Sequence, residues 1–178
     1  MKITRGEWRD KVLIPNIEKA WNKPDDLYGL IVSACHDGFF ADLKEASARL
    51  LVIDTNAERS HTMRSIVLMK TGQIEGAQAV LRAGIEKVGE TGTLLTNLAK
   101  VYAERGDTQQ ADQTLWRAIQ LAPNLDNGLG WWAVIHRERE GEAGHLRALD
   151  EATAIKGSWR PQLWLARHHL EQHEVDSA

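Results

Sequence analysis

The chain has 178 residues, 43% hydrophobic and 26% charged, with a formal net charge of −3 and a single cysteine, Cys35. That balance is globular; it excludes a general electrostatic pull toward nucleic acid or anionic lipid, and one cysteine excludes an internal disulfide. No apolar run reaches the length of a signal peptide or a bilayer span, so a cytoplasmic protein is expected. β-branched residues are sparse and never alternate cleanly with polar ones, which leaves helix as the expected element throughout.

In chain order, residues 5–22 carry Val12, Leu13, Ile17, Ala20 and Trp21 at helical spacing despite Pro15. They predict an N-terminal entry helix, within 1–23, that packs on the helices after it. Residues 24–57 hold Leu27, Leu30, Ala34, Leu43 and Leu50 around Gly38, with Ser47 where a large residue would fill the pattern. Residues 58–91 hold Leu68, Ala77, Leu81 and Ile85 around Gly72, but Arg64 stands at a core position. Either that arginine snorkels or the register slips locally.

Residues 92–125 give the clearest pattern. Leu95, Leu98 and Tyr102 form one apolar stripe and Ala111, Leu115 and Ala118 another, separated by Arg105-Gly106-Asp107. Gly106 suits a left-handed helix end, Asp107 with Gln110 suits a capping box, and Pro123 stops the second helix. Gly38, Gly72 and Gly106 recur at intervals of 34 residues, the period of a stacked helical hairpin. Farther on, residues 126–158 carry Trp132, Ala133, Leu149 and Ala152 with a turn at Gly141, one residue late. Residues 159–178 open with Trp164-Leu165-Ala166-Arg167, and the tail from His173 lines up with Gly106-Asp107. The pattern is still running at Ala178, which predicts a fragment of a longer array.

The segment 92–125 resembles a tetratricopeptide repeat, with Leu95, Ala99 and Leu115 at positions where the signature has an aromatic residue, a glycine and another aromatic. The resemblance extends loosely over 24–178. It implies an all-α, right-handed superhelical solenoid of antiparallel helix hairpins: about four repeats (24–57, 58–91, 92–125, 126–158) and a partial fifth (159–178). In that family the first helix of each repeat lines a concave groove. The groove positions here include Arg59, Met63, Lys70, Asn97, Lys100, Trp131, Arg137, Trp164 and Arg167, with Ile66, Met69, Asn127, Gly130, Val134, Arg160, Leu163 and Leu170 beside them. The lysine, asparagine and arginine set with which co-chaperones of this family hold a terminal carboxylate is missing, since those positions carry Tyr28, Val32, Met63, Thr93 and Asn97. Chaperone-tail binding is therefore not expected.

Residues with catalytic potential do not assemble. In Cys35-His36-Asp37, helical neighbours point about 100° apart, so thiol and imidazole do not share a proton easily. His169 and His173 are four apart and could chelate a metal, but no third ligand is evident and a solvated face explains them better. No glycine-rich phosphate loop and no paired carboxylates stand out. The expectation is a non-enzymatic scaffold without cofactor or metal, holding a peptide or helix of a protein partner. The alternative is a regulatory or substrate-presenting segment of a larger enzyme or multidomain protein, and self-association is a third idea.

Overall fold

The computed structural model describes residues 4–171, and every regular element among them is helical. The chain divides into two compact units, Met1–Gly89 and Glu90–Ala178.

The first unit begins with α1 (Arg5–Trp8), a π-turn (Arg9–Leu13) and α2 (Ile14–Ala20). Pro15 sits in the first turn of α2, after the π-turn. A proline has no amide to give an α-helical bond to the fourth residue back, and the wider turn makes room for its ring. Leu13, Ile17 and Ala20 are buried with Leu27, Ile31 and Ala34 of α3 (Pro24–His36) and Leu50 of α4 (Lys44–Ile53). Trp8 stacks on Phe39 with ring centroids 5.1 Å apart, which ties the N-terminal helix to the α3–α4 turn. The hairpin of α5 (Ala57–Lys70) and α6 (Ile74–Val88) comes next, and Met63 and Val67 join the same core.

Two departures from the repeat pattern prove to be one contact. Ser47 is fully buried, and Arg64 reaches over it: Nη1 donates to Ser47 Oγ at 3.1 Å and to the Lys44 carbonyl at 2.6 Å. The small residue on α4 leaves the space that the long one on α5 fills, and the guanidinium exits to solvent. The register does not slip.

The second unit contains α7 (Gly92–Glu104), α8 (Thr108–Leu121), α9 (Asp126–Thr153) and α10 (Arg160–Glu171). Its core joins Ala99, Leu115, Ile119, Leu129, Trp132, Ala133, Ala148, Leu149 and Ala152. Thr91 caps α7 by accepting the Leu94 amide at 3.2 Å. The capping box expected at Asp107 does not form: the residue sits at the N-cap, but its side chain bonds to no cap amide. Its ψ of 62° lies far from the extended backbone that aims an N-cap side chain at the first turn.

The glycine period has a direct backbone cause. At each of the three turns the amide after the glycine closes onto the carbonyl five residues back: Phe39 to Ala34, Gln73 to Leu68 and Asp107 to Tyr102, at 2.8 to 2.9 Å. Such a helix end places the preceding residue in the left-handed region, and Gly38, Gly72 and Gly106 have φ of 78°, 78° and 82°. The fourth turn differs. Gly141 (φ 70°, ψ −157°) is the only non-helical residue within α9, so one residue reverses the chain. The returning helix then lies on the outgoing one so closely that a Cβ at Gly144 would stand 2.5 Å from the His136 carbonyl oxygen.

Candidate functional site

In the second unit, α7, the first half of α9, and α10 present the residues that the repeat register assigns to the groove. Lys100 of α7 donates to Asn127 Oδ1 of α9 at 2.9 Å, and its Nζ lies 6.0 Å from the Trp131 ring centre. Trp131 and Trp164 are half-buried, with one side of each packed on the core. Gly130 lets Trp164 cross α9, since a Cβ there would stand 3.4 Å from the indole. One turn farther along, Val134 is 46% exposed, and on α10 Leu163 and Leu170 are 57% and 55% exposed. Leu163, Arg167 and Leu170 fall on one helical face by their spacing.

The start of α10 is held from a distance. Asn124, in the loop after α8, accepts the amides of Trp159 and Arg160 at 2.8 and 3.0 Å and donates to the Gly157 carbonyl at 2.9 Å. It satisfies the free amides that every helix start carries, a task usually done by a local cap.

Three arginines of this face already have acidic partners. Arg137 pairs with Glu142 at 3.3 Å, Arg160 with Asp126 at 2.5 Å, and Arg167 with Glu171 at 2.8 Å. Asn97 is 4% exposed, and its amide donates to the Thr93 carbonyl at 2.8 Å. The expectation that Asn97 offers its amide to a ligand is corrected: the side chain belongs to the helix interior.

The remaining three assigned residues lie in the first unit. Met63 is 7% exposed and is part of the core, so its long flexible side chain fills space and does not face solvent. Lys70 is exposed near the end of α5. Arg59 is a structural hub: it forks onto Asp54 at 2.6 and 3.0 Å, reaches Asp25 at 2.5 Å and lies 4.8 Å from the Tyr28 ring centre. Burial pushes the Asp54 carboxyl up, but hydrogen bonds from Arg59 and the Asn56 amide outweigh it and hold the group below its ordinary value. Hydrogen bonds to Asp54 and Asp25 in turn hold the Arg59 guanidinium above its own ordinary value.

These bridges were legible in principle. Asp25–Arg59 and Asp126–Arg160 are 34 residues apart, and Glu90–Arg117, Lys100–Asn127 and Asp112–Arg139 are 27 apart. In an array with a 34-residue period, a separation of 34 joins equivalent places on neighbouring hairpins, and one of 27 joins places about two helical turns apart.

No cluster of three or more histidine, cysteine or acidic residues is arranged to hold a metal among the described residues. His168 faces Glu142 at 3.3 Å, and His173 lies outside the described residues. Burial pushes the Cys35 thiol up to about 11, which leaves it protonated, while its neighbour His36 pairs with Asp37 in solvent. No helix among the described residues is long and apolar enough to cross a membrane.

Among curated proteins none matches the sequence. Similar solved structures are tetratricopeptide-type folds. MamA (residues 41 to the end) from Desulfovibrio magneticus RS-1 has a TM-score of 0.58 at 16% identity, over 86% of this chain and 90% of that one. PilF of Pseudomonas aeruginosa has a TM-score of 0.59 at 16% identity, over 89% and 71%. YrrB, described as a TPR protein with an unusual peptide-binding site, has a TM-score of 0.50 at 15% identity, over 88% and 98%. Residues 92–115, from the start of α7 into the core stripe of α8, match the tetratricopeptide repeat family model. Repeat, glycine-closed hairpins and shared fold agree: residues 92–115 carry a tetratricopeptide repeat, and the chain has the helical-hairpin fold of these similar structures.

Proposed function

We propose that the protein is a non-enzymatic scaffold whose α7–α9–α10 face holds a peptide or helix of a protein partner. The observation that carries this reading is the joint exposure of Val134, Leu163 and Leu170 beside the half-buried Trp131 and Trp164. A monomeric surface rarely gathers large apolar groups without a use for them, and tryptophan is among the commonest interface anchors. The peptide-binding site named for YrrB is in keeping with this use of the fold. The expected repeat boundaries (24–57, 58–91, 92–125, 126–158, 159–178) serve as the frame that places these residues on one side of their helices.

The test is capture of partner proteins from native lysate by the wild type and by Trp131→Ala and Val134→Glu variants. Circular dichroism checks that each variant keeps its helix content. Both variants are expected to lose the captured partner. Retention at wild-type level in both refutes this placement of the face.

A further inference from the structure

We infer that the segment held on the α9–α10 face is a helix with an apolar side and a non-acidic polar side, not an extended acidic peptide. The inference rests on the scaffold reading above and names the chemistry of its partner.

The first argument is charge. Three arginines on this face suggest an acidic ligand until their contacts are traced. Arg137, Arg160 and Arg167 are each bonded to a carboxylate of the same unit, Glu142, Asp126 and Glu171, at 2.5 to 3.3 Å. An incoming carboxylate must compete with a partner already in place and held nearby by the fold. The field of each pair is close to that of a dipole, so long-range attraction for an acidic ligand is weak.

The second argument concerns the ligand's backbone. An extended peptide brings a row of unpaired N–H and C=O groups, and burial without partners is unfavourable. Two of the polar groups on this side are already engaged. The Asn97 amide is buried and bonded to Thr93, and the Lys100 ammonium is bonded to Asn127. What it does present is Val134, Leu163 and Leu170 with the two indoles. A helix satisfies its own backbone and offers only side chains, and anchors repeating every three or four residues suit such a surface.

The test is a selection on the full chain with two displayed peptide libraries of about 20 residues, a length at which helices form readily. One fixes a helical pattern, with Leu, Ile, Met, Phe or Val at i, i+3/i+4 and i+7 and Gln, Lys or Ala elsewhere. The other is extended and acidic, built from Asp, Glu, Ser, Gly and Pro. Clones are expected from the helical library, with Kd changing less than about threefold between about 50 and 500 mM salt, a range over which screening of exposed charges deepens strongly. Leu163→Glu and Leu170→Glu are each expected to weaken those clones at least about tenfold, with unchanged melting, because both side chains are more than half exposed. Acidic clones whose affinity falls tenfold or more with salt overturn the inference and leave the scaffold face standing. Clones from neither library overturn both.

Discussion

Replacing Arg59 with alanine separates a structural cation from a ligand-binding one. The register puts Arg59 on the groove side, yet it forks onto Asp54, whose side chain is 1% exposed, and touches the well-exposed Asp25. The Asp25 contact is worth at most about 1 kcal/mol. Asp54 dominates. Without the guanidinium its carboxylate keeps the Asn56 amide at 2.9 Å and little else. Breaking a fully buried pair costs about 3–5 kcal/mol, and solvent access through the quarter-exposed Arg59 reduces this to about 2–3 kcal/mol. For a chain of this size that lowers Tm by about 5–10 °C. Urea and thermal melts followed by far-ultraviolet circular dichroism measure it. Arg59→Lys should fall between, keeping the charge and losing the fork. A loss below about 0.5 kcal/mol, together with loss of the captured partner, refutes the reasoning and returns Arg59 to the binding surface.

The same contact predicts a pH dependence. Because Asp54 is held below its ordinary value in the folded protein, its contribution is complete above about pH 4 and is lost as pH falls through the folded value, so the gap between wild type and Arg59→Ala should stay level near neutrality and narrow in acid; a gap that widens in acid contradicts the assignment. A double-mutant cycle of Ser47→Ala and Arg64→Ala should show coupling of about 0.5–1.5 kcal/mol, and strictly additive losses mean the contact contributes nothing. Gly144→Ala should cost about 2–4 kcal/mol, because its methyl group meets backbone at His136, whereas Gly76→Ala, which meets Leu68 methyls at 3.6 and 3.9 Å and Gln73 Cβ at 3.9 Å, should be neutral or stabilising by up to about 1 kcal/mol; equal melting points would refute the close approach. Asn124→Ala should cost about 1–2 kcal/mol and weaken partner capture by fraying α10, and unchanged amide exchange at Trp159 and Arg160 would show that the cap is dispensable.

Much of the architecture was legible because its turns need a left-handed residue, and that requirement surfaces as glycine at Gly38, Gly72 and Gly106. Where geometry asks for nothing special, the sequence misleads. Asp107 looks like a cap, but its backbone does not aim the side chain. Ser47 and Arg64 look like two faults because a pattern scores positions one at a time, while packing scores them together. Gly92, Gly128 and Gly144 lie inside helices and make no turn. They are close-approach glycines, with Ala122, Thr96 and the His136 carbonyl standing where a methyl would go. On the candidate face the register found side chains of the right kind. It missed which cations were paired, because their acids lie on the neighbouring hairpin, past the Gly141 reversal or on the next helical turn.

The one-residue reversal at Gly141 also decides where the molecule can be rebuilt. The turns at Gly72 and Gly106 are exposed, with open space around each glycine, so a reporter or an added binding loop spliced there faces mainly a closure entropy that grows slowly with length. At Gly141 the return path is set by the seating of Gly144 on the His136 carbonyl, and any added residue lifts that helix from its seat. The first two sites are natural ports for engineering, whereas splicing at the third would pry open the hairpin that carries Trp131 and Val134.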